Sequence, residues 1–269
     1  MTTISAAVPP TASAFRTEPA GVGRGELERA QGLARWTGVL FLVTFAASIP
    51  PVVAFYVPAL SDPRYILGGG ADPSLAWGAL FELVLIIANI GTAIALFPVV
   101  RRQNEALALG YVTARLVECG FIAVGILSLL ALRTLRIEAG DADPATLLVV
   151  GKSLVAVHDW TFLLGPGFVV GVGNGLTLGY LMFTSRLVPR YLSVLGLVGG
   201  PLICLSGAAV MFGAIAPAST WQMVATIPEF FWELLLGLWL AVRGFNPAAV
   251  AALAARPRRA APAVPEGSP

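Results

Sequence analysis

Seven ionisable side chains stand in stretches that are otherwise almost wholly apolar: Glu82, Arg115, Glu118, His158, Asp159, Glu229 and Glu233. Asn89 and Asn174 add neutral polarity to the same stretches. In hydrocarbon an ionisable group costs at least ~2.5 kcal/mol on insertion scales, so each is a candidate for proton, ion or solute chemistry. On a helix, Arg115 and Glu118 are i,i+3 neighbours able to form an ion pair. Glu229 and Glu233 share a face at i,i+4, and Glu82 and Asn89 share one at i,i+7. The carboxylates of Glu82, Glu118, Asp159, Glu229 and Glu233 face one permanent cation, Arg115. Crowded in low dielectric they cannot all stay ionised, and some must hold a proton or attract a cation. One reading is therefore a polar cavity that binds a proton, a metal ion or a cationic solute. The other is structural: Arg115 and Glu118 pin a helix bundle, Glu229 sits at the membrane interface, and polar groups hydrogen-bond neighbouring helices together. Both readings fit the residues.

The elements that must position these groups are set by composition. The chain is 57% hydrophobic and 12% charged, with a mean hydropathy of +0.82. A water-facing surface needs about twice that share of charge, whereas a hydrocarbon-facing one needs none. A helix crosses the bilayer core with about 20 apolar residues, and six runs are long enough: Trp36–Val57, Leu75–Val100, Ala106–Leu132, Leu154–Phe183, Tyr191–Ala216 and Trp221–Val242. Between them lie Pro58 with Asp62-Pro63 and Gly68-Gly69-Gly70, then Arg101 to Glu105, Glu138 to Pro144, Arg186 to Arg190, and Ala216-Pro217. The expected fold is an all-α, polytopic transmembrane bundle of six spans whose partner is the lipid bilayer.

Cytoplasmic flanks carry the excess of Lys and Arg. With six spans, twelve basic residues flank one side and four the other, while Arg115 lies inside a span. The majority side holds both ends of the chain, which predicts an N-in, C-in protein of the cytoplasmic (inner) membrane. At 1.5 Å per residue, Glu82 then lies about 10 Å below the outer end of its helix, Glu233 about 18 Å and Glu118 about 21 Å. His158 and Asp159 lie nearer the outer surface. The charges thus gather between the outer leaflet and the midplane.

The fourth span adds Gly167, Gly171, Gly175 and Gly179, a small-residue stripe that lets another helix approach closely. Gly165-Pro166-Gly167 should kink or break that helix, and a Gly/Pro-interrupted helix beside charges also marks some transporter sites. The run Gly171-Val172-Gly173-Asn174-Gly175 lacks the spacing of a dinucleotide fingerprint and follows no strand. A single histidine, His158, cannot give a haem two axial ligands, and no Gly-x-Ser-x-Gly or His-Glu-x-x-His motif occurs. A metal-dependent site built from His158, Asp159 and nearby glutamates is the remaining enzymatic reading, set against simple interfacial anchoring or capping by His158 and Trp160. Cys119 and Cys204 read as small buried hydrophobes. No cofactor is expected.

Net charge is +2 with the basic residues scattered, which gives no footprint for nucleic acid. Sixteen of the seventeen basic residues are Arg, which with the Ala, Gly and Pro content suggests a GC-rich bacterial genome. Residues 1–33 and 247–269 are polar or Ala/Pro/Arg-rich and are expected to be disordered cytoplasmic segments, with the six-span domain over 34–246. The first apolar run is too long for a cleaved signal peptide. An accessory protein is a third functional reading, with partners docking on the third loop at Arg133, Arg136, Glu138, Asp141 and Asp143.

Several segments carry a family likeness: Ala34-Arg35-Trp36-Thr37-Gly38, Arg115-Leu116-Val117-Glu118, His158-Asp159-Trp160, and Ser185-Arg186-Leu187-Val188-Pro189-Arg190. The run from Trp232-Glu233-Leu234 to Leu238-Trp239-Leu240 and the following Arg243-Gly244-Phe245 extend it. Over roughly residues 33–247 the chain resembles the bacterial multi-spanning proteins called domain of unknown function 4386. The resemblance implies architecture; it brings neither an activity nor functional residues.

Overall fold

A computed structural model describes residues 23–256 apart from 69 and 71. Nine α-helices occur among the described residues, with no strand: α1 (Arg24–Pro50), α2 (Val57–Ser61), α3 (Ser74–Val100), α4 (Glu105–Glu138), α5 (Pro144–Phe162), α6 (Gly179–Ser185), α7 (Arg190–Met211), α8 (Thr220–Val242) and α9 (Pro247–Ala254). Six helical stretches are long and apolar enough to cross a membrane: Arg24–Phe55, α3, α4, Pro144–Ser185, α7 and α8. They form a multi-pass membrane protein. Their surface is apolar, with Trp36, Ile87, Ile94, Leu127, Leu205 and Val242 each about two-thirds exposed or more. The polar side chains Glu82, Asn89, Arg115, Glu118, Asn174 and Glu229 are buried instead. Such a distribution suits hydrocarbon outside and mutual hydrogen bonding inside.

Successive spans are neighbours, joined by short connections after the second, third, fourth and fifth and by a longer one after the first, and the chain closes on itself. The first span packs on α3 and α8, α3 on α4, α4 on the fourth span, and α7 on both the fourth span and α8. The result is a ring of six helices with span six returning to span one. That closing contact depends on glycine: a Cβ on Gly38 would collide with the backbone N of Ala241 and lie 2.7 Å from the Gly237 carbonyl.

Two expectations are corrected at the ends of the chain. Helix α1 already begins at Arg24, and α9 occupies 247–254, so these parts of the expected disordered segments are helical. Asn246 caps α9, its side chain accepting from the Ala248 N–H, while Ala249, Val250 and Leu253 bury against Leu187, Val188 and Phe245. Burial of that apolar face is what orders the segment. Gln31 of α1 donates to the Phe245 carbonyl at 2.6 Å and accepts the Phe245 N–H at 3.0 Å, a clasp reached because Gly244 turns the chain at φ 71°. Residues 1–22 and 257–269 lie outside the described residues.

The fourth span is also different from its expected form. Gly165-Pro166-Gly167 does not break it; the helix runs on from Pro144 to Ser185, in π-helical form over Leu163–Val169 and Gly171–Leu178. Pro166 has no N–H, and its ring would press on the carbonyl four residues back, so the wider π turn accommodates it. The Thr177 hydroxyl follows the same register, donating to the Val172 carbonyl five residues back at 2.8 Å. Pro51–Phe55 repeats the device after Pro50-Pro51 at the end of span one.

Helix α4, at 34 residues, is about 51 Å long and outreaches a ~30 Å hydrocarbon core. The excess of α4 and α5 lies at the end away from the termini. There the first connection folds onto it: Tyr56, Ala59, Tyr65 and Ile66 bury against Leu129, Leu132 and Leu147. The Arg136 guanidinium lies 4.2 Å over the Tyr65 ring and donates to the Tyr65 carbonyl. The Tyr65 hydroxyl donates to Asp72 at 2.8 Å, and the Ser74 N–H donates to the other Asp72 oxygen at 2.8 Å. The Ser74 N–H holds the Asp72 carboxyl below its ordinary range, while burial raises the Tyr65 phenol.

Candidate functional site

Arg115 is at the centre of the ring, its side chain 3% exposed. One guanidinium nitrogen donates to Glu118 at 2.8 Å and another to Glu233 of α8 at 3.1 Å. Asn89 of α3 donates to the second Glu118 oxygen at 3.0 Å, and Asn174 of the fourth span donates to Glu233. The Trp232 indole N–H donates to the Asn174 carbonyl at 3.1 Å. Phe41 and Tyr111 cover the guanidinium with ring centroids at 5.5 and 5.9 Å. Five of the six spans therefore meet around one cation, by hydrogen bond or ring face. Glu118 and Glu233 both pair with this single guanidinium, which meets the demand of low dielectric for an opposite partner while leaving two carboxylates to one cation.

Glu229 lies one turn from Glu233 and is buried, yet neither of its oxygens has a hydrogen-bond partner among the described residues. Its carboxyl rests between glycines of two helices. A Cβ on Gly175 would sit 2.6 Å from Glu229 Oε2, and one on Gly199 would sit 2.8 Å from it. Gly171 and Gly179 likewise face α7, at the Gly200 carbonyl and the Leu197 N–H. Gly167 differs: no atom of another helix lies within 4 Å of where its Cβ would be. The π turn has rotated it out of the stripe and onto a cleft.

That cleft, of about 810 Å³, opens at the end away from the termini between the first, fourth, fifth and sixth spans. Tyr56, Trp160, Phe162 and Phe230 supply aromatic wall, and His158, Asp159, Gln222 and Thr226 supply the polar groups. The Tyr56 hydroxyl donates to Glu82 at 2.8 Å, and its ring meets the His158 ring edge to face at 5.5 Å. His158 Nδ1 is 3.5 Å from Asp159, whose side chain is 62% exposed, and has no hydrogen-bond partner among the described residues.

The sequence-derived candidates thus fall into two groups rather than one cavity. Arg115, Glu118, Asn89 and Glu233 form the central cluster with Asn174, and Glu229 lies beside it. Glu82 belongs with Tyr56 and His158, away from its face-mate Asn89, and of the eight candidates only His158 and Asp159 line the cleft. Glu229 is buried in the protein interior. Tyr56, Trp232 and the covering rings Phe41 and Tyr111 carried no separate signal, since aromatic residues are common in apolar runs.

The family model described as domain of unknown function, DUF4386, matches residues 36–244. The chain belongs to the DUF4386 family. No curated protein and no solved structure matches it. In this DUF4386 protein the matched region holds both polar groups and the cleft, and it ends at Gly244, the turn that Gln31 clasps.

Proposed function

We propose that this DUF4386 protein binds a small amphiphilic organic cation in the cleft between its first, fourth, fifth and sixth spans. One observation carries the reading: an 810 Å³ concavity with aromatic walls has a largely exposed carboxylate, Asp159, at its edge. Ligand sites are typically apolar hollows with a few converging polar groups, and aromatic faces attract cations. Asp159 supplies charge, and Tyr56, Trp160 and Phe230 supply ring faces. On the charge count of the flanks, the cleft faces outward from the cytoplasmic membrane of a bacterial cell, and the solute enters from that side.

The central cluster supports a structural role instead. Its charges are paired with one another and covered by rings, so it serves as a clasp between spans. A metal-dependent reaction has no support among the described residues, where no three His, Cys, Asp or Glu side chains are placed to hold a metal ion together.

Fluorescence anisotropy of ethidium, a lipophilic cation, with purified protein in detergent tests the proposal. Saturable binding is expected, weakened about tenfold by D159N, a loss of about 1.4 kcal/mol. Equal affinity for wild type and D159N would count against it.

A further inference from the structure

Among the described residues, three carboxylates are buried, Glu82, Glu118 and Glu229, and of these Glu229 has no hydrogen-bond partner. Glu118 and Glu233 share Arg115, and Glu82 accepts from Tyr56. Glu229 accepts from no donor among the described residues, where both its oxygens are buried. The titratable groups that face it are Glu233 on its own helix, Arg115 and Glu118 from α4, and Cys204 from α7. The fourth span turns Gly175 toward it, and the ionisable residues of α1 are Arg24, Glu26, Glu28, Arg29 and Arg35, toward the opposite end. The surrounding charge is two carboxylates for one guanidinium. A further carboxylate buried beside them would be uncompensated, which low dielectric penalises heavily.

The neutral acid meets no such penalty. Its housing is also specific: Gly175 and Gly199 leave room for a carboxyl where any Cβ would intrude. The glycine stripe of the fourth span therefore does more than admit α7; it holds a polar group at the helix junction. The cleft is close by, since Thr226, one turn before Glu229 on α8, and Ile203, next to Cys204, are both on its wall.

We infer that Glu229 is a reversible proton site, charged and emptied from the cleft. A proton from cleft water joins the carboxylate to give the neutral acid that fits between Gly175 and Gly199. Loss of that proton returns it to the water and leaves a carboxylate that the Arg115 cluster does not neutralise. Proton occupancy is thereby tied to the packing of α7, α8 and the fourth span.

Infrared difference spectroscopy of the reconstituted full chain tests this without any solute, so it is independent of the cation-binding reading. At neutral pH a protonated-carboxyl C=O stretch is expected that shifts in D2O and is missing from E229Q. The same variant should keep the wild-type melting temperature, because an uncharged amide replaces an uncharged acid. An identical band in E229Q, or no such band in wild type, overturns the proposal. So does failure of E229Q to fold, because that result would mean the site needs a carboxylate.

Discussion

Arg115 of α4 and Glu233 of α8, 118 residues apart in sequence, meet at 3.1 Å across the ring and join their helices. Glu118 completes the pair from one turn away. Because the guanidinium is shared, the cluster cannot lose the cation without leaving two carboxylates, the buried Glu118 and the half-buried Glu233, without an opposite charge. R115Q should therefore destabilise the protein by about 3–5 kcal/mol. Adding E118Q and E233Q should restore much of the loss. Denaturant unfolding in mixed micelles reads both values, and an R115Q variant as stable as wild type would show that the cluster carries no structural charge.

Glycine positions divide sharply in tolerance. G38A would push a methyl into the α8 backbone at Ala241 and Gly237, where neither backbone atom can yield, whereas a Cβ on Gly120 meets nothing within 4 Å. G38A should cost about 1–3 kcal/mol, as overpacking does, and G120A should stay within about 0.5 kcal/mol of wild type. Thermal melts of the two variants side by side decide this; similar losses would contradict the closure of the ring through Gly38.

These contrasts show what the sequence made legible. The six spans follow from length and apolarity, which are local properties. Pairing of Arg115 with Glu118 was readable as i,i+3 spacing, but nothing near Glu233 marks it as the third member, since that depends on how α8 is rotated against α4. The same holds for Glu82 and Asn89. Seven residues apart, they share a face of α3, yet different neighbours, Tyr56 and Glu118, claim them. The continuity of the fourth span through Pro166 was hidden because a proline signals a break unless the turn widens. Helical order at 24–33 and 247–254 was hidden because it comes from docking, through Gln31, Phe245 and Leu253, rather than from local pattern.

Asp72 gives a pH signature at the end away from the termini. Its carboxyl titrates below the ordinary carboxylate range because the Ser74 N–H donates to it. A depressed folded value adds stability that is complete above the unfolded value, about 3.9, and is lost as pH falls through the folded one. The melting-temperature gap between wild type and D72N should thus be widest near pH ~6 and shrink toward pH ~3. A gap that is constant over this range would mean the Asp72 charge plays no part in holding the first connection.

The cleft itself is the central claim, and filling it is the most direct test. Thr226 lines it from α8, so T226W should occupy its volume with an indole. With ethidium as probe, wild type should bind saturably at one site per chain. T226W should keep the wild-type melting temperature and lose that binding. Undiminished ethidium binding by a folded T226W would contradict the account.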